Sequence, residues 1–156
     1  AHGPGSPLVH RAESTQDGAL PAGATSALRA LLRVGLVAGD ADALALAERY
    51  LAQRLATVDE QTALATPGLL LALDTYLHHQ VVVVTDGEGA AALRAAAHGV
   101  ALPGVFVAGP WAAASWREGR GADARGHAQA FVCRGATCLT PTGVPAALIA
   151  QLRDHA

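Results

Sequence analysis

The chain has few aromatic side chains and no long apolar run, and each absence narrows the class of protein. Aromatic residues make up 4% of its 156 residues, whereas hydrophobic residues make up 51%. The interior must therefore be filled by Ala, Leu and Val, and packing Ala against Leu between helices is the simplest way to fill it. The longest apolar runs, such as 69–73 and 81–84, fall far short of the roughly 20 residues that cross a membrane. We expect a largely helical fold and no membrane partner.

An excess of charge of one sign is also missing. Lys and Arg number 11 against 13 Asp and Glu, which gives a formal net charge of −2, and no stretch concentrates basic residues. A nucleic-acid surface requires such a stretch, so nucleic acid is not an expected partner. The N-terminal residues lack a basic segment followed by an apolar one, so we expect a cytoplasmic protein. No sequence pattern points to a cofactor, and none is expected.

The chain divides into three parts by composition. Residues 1–6 are small and turn-rich, and they resemble the remnant of a cleaved purification tag. Residues 7–78 form the predicted helical segment, and residues 79–156 form a predicted small α/β subdomain. If residues 1–6 are a tag remnant, the natural sequence enters abruptly near Pro7, as in a fragment excised from a larger protein.

The first predicted helix is apolar on most sides. Thr25 or Ser26 can cap its start, and it runs on to about residue 37, before Gly39 ends it. Its polar content is nearly confined to Arg29 and Arg33, one turn apart, so we expect neighbours on more than one side. Three side chains form the face that we expect to pair with a second copy or another protein: Leu28, Leu31 and Leu36.

Two more helices are predicted in this half. Asp40 can cap the second, in which apolar residues recur at three- and four-residue spacing through Leu55. Residues 57–65 form a polar break. Thr66 and Pro67, a cap followed by a first-turn proline, then begin a third helix that runs to about Leu77.

The second half changes its hydrophobic period. Residues 81–84 predict a central strand, 88–98 an Ala-rich helix and 105–107 a strand parallel to the first. Residues 128–133 predict another strand, and Cys138 and Leu139 can pair with it across a turn. Pro145 begins a last helix. The expected fold is α/β of the mixed α+β kind: a helical hairpin or bundle, then a small βαβ sheet with a C-terminal β-hairpin and helix.

Several segments carry a resemblance to a known family. They are residues 8–11, the Asp-Gly-Ala-Leu-Pro-Ala-Gly segment at 17–23, the helix ending at Leu77, and the terminal Cys-x4-Cys-x2-Pro of Cys133, Cys138 and Pro141. In these the chain resembles the C-terminal end of the YyaL-like, spermatogenesis-associated family of thioredoxin-domain proteins.

The resemblance implies a larger parent protein. That parent has an N-terminal thioredoxin-like domain and an (α/α) toroid of the six-hairpin glycosidase kind, similar to sugar 2-epimerases. This chain would then hold the last toroid helices and a small α/β appendage. The family usually has Asn-Ser where this chain has Ala24 and Thr25, so a side-chain amide facing the toroid cavity is missing. In the intact parent, Arg11 and Asp17 could line that cavity.

Cys133 and Cys138 are the only cysteines and the main candidates for chemistry. A tight turn between them would bring their Cα atoms to the roughly 5.5 Å at which a disulfide forms without strain. Three interpretations stay open: buried thiols or a passive disulfide, a redox pair acting beside the parent's thioredoxin domain, and a metal site with His127. The metal interpretation lacks ligands, and no metal site is predicted.

Two other clusters have structural interpretations that we favour. Asp86 and Glu88 follow a strand and precede a helix, where α/β proteins bind phosphate, but their charges would repel an anion, and both suit a helix start. His78 and His79 end the third helix, where they can bond the last free carbonyls. No catalytic residue is predicted.

Three functions follow from these observations. The first is a non-catalytic C-terminal structural or interaction module of a larger thioredoxin-domain, toroid-containing protein. The second is a thiol–disulfide redox function through Cys133 and Cys138. The third is a part in a carbohydrate-processing, epimerase-like toroid.

Overall fold

The computed structural model describes residues 16–109, 111–135 and 137–154. Within these ranges the chain is a mixed α/β fold, as the sequence predicts, with helices throughout and one four-stranded sheet. The expected tag remnant at 1–6 and the candidate Arg11 lie outside the described residues. No helix in the described part of the chain is both long and apolar enough to cross a membrane.

Apart from one short helix that was not predicted, the elements follow one another in the expected order. The α-helices are α1 (Gly23–Arg33), α2 (Ala41–Leu55), α3 (Glu60–Leu64), α4 (Pro67–His78), α5 (Ala90–Gly99) and α6 (Pro145–Arg153). The strands are β1 (Gln80–Val84), β2 (Val105–Val107), β3 (Ala130–Arg134) and β4 (Thr137–Cys138). A π-helical turn (Val34–Ala38) continues α1, and a 3-10 turn (Ala114–Trp116) follows β2.

The start of α1 differs from the prediction. The helix begins at Gly23, before the expected caps, and no side chain caps it. Thr25 is instead buried in the first turn, and its methyl group lies close to Gly68 of α4. Its neighbour Ser26 also lies inside the helix. The predicted end is confirmed, because Gly39 ends the π-helical turn with φ of +73°, a conformation that favours glycine.

The packing of α1 corrects the expectation of a free apolar face. Leu28 is buried in a core shared with α2 and α4, and Leu31 and Leu36 are half-buried against the same core. The side of α1 that carries Arg29 and Arg33 is exposed. The expected neighbours on more than one side are present, but they come from this same chain. The predicted pairing face is therefore already covered.

The polar break between α2 and α4 contains a short helix that the sequence analysis missed. Asp59 caps α3 by accepting bonds from the backbone N–H groups of Gln61 and Thr62, at 3.1 and 2.8 Å. The Thr62 hydroxyl in turn accepts from the Asp59 N–H at 2.8 Å, which completes a capping box. The sequence does contain the capping pair, Asp59 and Thr62, three residues apart. The helix was not predicted because its residues show no apolar periodicity.

The sheet has the order β2-β1-β3-β4. β1 pairs in parallel with β2 and antiparallel with β3, as expected for a central strand. Its side chains alternate between two cores: Val82 and Val84 face α5 and α6, whereas Val81 and Val83 pack with Val37 of the π-helical turn. The π-helical turn and the segment after β2 thus cover one face of the sheet, and α5 and α6 cover the other, which is why the four valines of β1 are all buried.

Candidate functional site

The tip of the β3–β4 hairpin carries a disulfide. Cys133 and Cys138 stand directly opposite each other in the antiparallel ladder, and their sulfur atoms are bonded. Their Cα atoms are 3.9 Å apart, closer than the expected value of about 5.5 Å. The interpretation as two separate thiols is therefore wrong for this structure.

The two sulfurs differ in their surroundings. Cys133 is fully buried, whereas Cys138 is half-buried. The guanidinium of Arg120 approaches the outer cysteine, and its Nη2 lies 3.1 Å from Sγ of Cys138. Of the two cysteines only Cys138 has exposed surface, and its sulfur lies beside a positive charge.

Arg120 is held in place by the segment that precedes it. Its Nη1 donates to the backbone carbonyls of Ser115 at 3.1 Å, Trp116 at 2.7 Å and Glu118 at 3.4 Å. Its guanidinium carbon also lies 6.0 Å from the ring centroid of Phe131 on β3. Residues 117–126 have no sequence period, so sequence reasoning missed Arg120, and no local signal links it to Cys138, 18 positions away.

A cavity of about 560 Å³ opens beside this hairpin. Arg120 and Gly135 line its hairpin side, and Trp116 and Leu36 contribute apolar surface from the 3-10 turn and the π-helical turn. The disulfide therefore lies near a concave surface shared by both halves of the chain.

A second and larger cavity, of about 840 Å³, lies at the carboxyl ends of β1 and β2. Arginines from separate segments line it, together with Trp111 and His98; they are Arg33, Arg94, Arg117 and Arg120. We call this cavity the arginine cleft. Among the described residues that line it, Asp86 is the only one with a carboxylate, and it pairs with Arg94 at 3.0 Å.

The remaining predicted candidates have structural partners. Asp17 is half-buried, and its carboxylate accepts from the backbone N–H groups of Ala22 at 2.8 Å and Gly68 at 2.7 Å. It therefore joins the leading segment to the start of α4. Whether Asp17 also lines a toroid cavity in a larger parent stays a prediction, as it does for Arg11, which lies outside the described residues.

The strand-to-helix turn after β1 is confirmed, and its two acids contact side chains. They lie before the first turn of α5, whose cap is Gly89. Asp86 pairs with Arg94, and Glu88 lies 3.6 Å from Nε2 of His127. Both acids thus have a side-chain partner, and their interaction with the helix dipole stays a prediction.

The histidines also have local partners. His79 Nδ1 lies 3.3 Å from the Tyr76 carbonyl, as predicted for a helix end, whereas His78 pairs with Asp74 at 2.9 Å, one turn back. His127 lies between Glu88 and Asp123. Within the described ranges, no group of three or more metal-ligating side chains could hold a metal ion.

Backbone N–H groups dominate the environment of Asp123. The N–H groups of His127 and Arg125 donate to its carboxylate at 2.9 Å each, and they lower its pKa, with the His127 N–H as the main cause. The Asp59 carboxylate is similar: its capping bonds, first of all from Thr62, lower its pKa. Local backbone bonds thus hold both carboxylates, Asp59 at the start of α3 and Asp123 in the loop before β3.

Searches of protein-family models, curated proteins and solved structures find no match to this chain. The resemblance to the YyaL-like family therefore stays a prediction.

Proposed function

We propose that Cys133 and Cys138 form a reversible thiol–disulfide couple, with Cys138 as the sulfur that reacts with a partner. The observation that supports this proposal is the 3.1 Å contact between Arg120 Nη2 and Cys138 Sγ. A guanidinium beside a cysteine favours the thiolate over the thiol, and the thiolate is both the nucleophile and the better leaving group. A purely structural disulfide has no need of such a charge.

The difference in exposure supports a division of roles. Cys133 is fully buried, so it can react only with Cys138, as a resolving cysteine does. Cys138 is half-buried and contacts Arg120, which lines the cavity. A partner thiol approaching from the concave side would meet Cys138 first.

The exchange then runs in two steps. A thiolate of a partner dithiol attacks Sγ of Cys138, the bond between the two sulfurs breaks, and Cys133 leaves and takes up a proton. The partner's second thiolate attacks the partner sulfur of the mixed disulfide and releases Cys138 as a thiolate, which Arg120 stabilises. Protonation of Cys138 completes the transfer of two electrons and two protons, and the partner is left as a disulfide.

Equilibration in glutathione buffers, followed by alkylation and mass spectrometry, tests the proposal. We expect a reversible mass change with a midpoint between about −300 and −180 mV, the range of disulfides that exchange with cellular thiols. Arg120→Gln should move the midpoint to a more negative value by on the order of 30 mV, a tenfold change in the equilibrium constant. Arg117→Gln, the same charge change nearby, should have a smaller effect.

A disulfide that stays closed throughout this range, or equal midpoints for the Arg120 and Arg117 variants, contradicts the proposal. Alkylation of the reduced protein gives a second readout. Iodoacetamide should modify Cys138 well before Cys133, since only Cys138 has solvent access.

The role as a non-catalytic module of a larger protein also stays a proposal. The exposed large apolar side chains favour it, because they remain available for a partner; they include Leu20, Leu46, Leu64 and Leu77. Sedimentation at high concentration tests self-association, and a compact monomer would count against pairing. A part in a carbohydrate-processing toroid follows only from the resemblance, and crystal soaks with sugars would test it.

A further inference from the structure

The arginine cleft lies where parallel strands commonly present a ligand site. β1 and β2 are parallel neighbours, while β3 on the other side of β1 runs antiparallel. The cleft is lined by Val84 and Thr85 at the end of β1 and by Val107 and Ala108 at the end of β2. In open α/β sheets, the crevice beyond the carboxyl ends of the strands is the usual place for a bound small molecule.

The charges in the cleft are out of balance. Among the described residues that line it, four arginines from α1, α5 and the segment after the 3-10 turn face a single carboxylate, that of Asp86. Arg120 already donates to backbone carbonyls and to Cys138. Asp86 is already paired with Arg94. Among the described residues, no carboxylate pairs with Arg33 or Arg117. Like charges gathered in a concave site repel one another, and a bound anion removes that cost.

We propose that the arginine cleft binds a phosphate-bearing small molecule with a planar group, of the nucleotide class. One arginine is enough to pair a single carboxylate in bidentate fashion, whereas several converging arginines suit a multiply charged group. The volume of about 840 Å³ lies within the range of roughly 300 to 1,000 Å³ typical of small-molecule sites.

The planar group of the ligand would stack on the ring of Trp111. Its side chain is 51% exposed although it lines the cleft, so one part of the ring is open to a ligand. Arg33 lies 6.0 Å from the Trp111 ring centroid and 5.6 Å from that of Phe106. These contacts fix both the ring and the nearest charge, and they place an aromatic surface beside the phosphate-binding arginines.

The acidic residues of the turn after β1 do not oppose this assignment. Glu88 is not among the lining residues and lies beside His127 instead. The charge of Asp86 is offset by Arg94. The ligand is therefore recognised by side-chain guanidinium groups, and the acid-flanked start of α5 has no part in it.

Isothermal titration of the full chain tests the assignment. We expect ADP to bind at least about tenfold more tightly than adenosine, and pyrophosphate more tightly than citrate. Arg33→Gln and Arg117→Gln should each weaken ADP binding about tenfold, the usual cost of losing one charged hydrogen bond. Arg29→Gln is the matched control, because Arg29 is exposed on α1 one turn before Arg33 and does not line the cleft.

Three results would overturn the assignment: no ADP binding at millimolar concentration, equal affinity for ADP and adenosine, or the same loss in the Arg29 variant. Tighter binding of citrate than of pyrophosphate would overturn the phosphate class. Arg120 is left intact in every variant, so the outcome does not depend on whether the disulfide is redox-active.

Discussion

The carboxylate of Asp17 accepts a hydrogen bond of 2.7 Å from the backbone N–H of Gly68, 51 positions further along the chain. Gly68 lies in the first turn of α4, whose own Thr66 makes no capping bond. The second carboxylate oxygen of Asp17 accepts from Ala22, and the Asp17 N–H donates to the Ala65 carbonyl at 2.9 Å. One side chain therefore caps α4 from a distant segment and fixes the path into α1.

Replacing Asp17 should destabilise the fold, because α4 would lose the side chain that caps it. We expect Asp17→Ala to lower the free energy of unfolding by about 1 to 2 kcal/mol, because two backbone donors lose their acceptor. Asp17→Asn keeps one carbonyl acceptor and should cost less. Urea denaturation followed by circular dichroism measures both, with Glu118→Ala as an exposed control; an equal change in the control would argue against the capping role.

Gly35 should tolerate no side chain. A Cβ added there would lie 2.7 Å from Cβ and 2.9 Å from Cα of Leu44, because the π-helical turn and α2 are in close backbone contact. We expect Gly35→Ala to cost about 1 to 3 kcal/mol of stability. Gly23→Ala is the matched control, since nothing lies within 4 Å of its Cβ, and its thermal unfolding midpoint should stay equal or rise slightly. Equal midpoints for the two variants would disprove the close contact.

The disulfide should contribute modestly to stability. It closes a loop of only five residues' separation, and loop-closure entropy of this size corresponds to about 2 kcal/mol. Cys138→Ser should cost about that amount. Cys133→Ser should cost more, because a hydroxyl group would replace a fully buried sulfur. Guanidinium denaturation compares the two, and equal losses would mean that burial of Cys133 adds nothing.

Acidification should loosen the loop that Asp123 holds. The backbone N–H of His127 and, after it, that of Arg125 lower the pKa of the Asp123 carboxyl. A carboxyl whose pKa is lower in the folded state stabilises the fold at pH above its unfolded value, about 3.9, and this contribution is lost as pH falls through the lowered pKa. Carbon-detected NMR titration should place its midpoint below about 3.9, the value of an unperturbed aspartate; a midpoint at or above that value would contradict the hydrogen bonds.

Much of the fold could be predicted because its signals are local. Asp40 caps α2 through the Ala43 N–H, three residues away, at 2.9 Å. Pro67 and Pro145 each begin a helix, and the four valines of β1 are buried on both faces. The start of α1 was predicted wrongly because Thr25 and Ser26 suit a cap, but burial of Thr25 against α4 decides its position.

The amino-acid order by itself determined the fold class, most helices and strands, and the opposition of Cys133 and Cys138, since these depend on residues a few positions apart. Only the tertiary structure decided that the apolar face of α1 is covered, that Arg120 contacts Cys138, and that four arginines meet at the ends of β1 and β2. Such contacts join segments that are far apart in the sequence, and no local pattern links them. They form only when the cores of the two halves pack together.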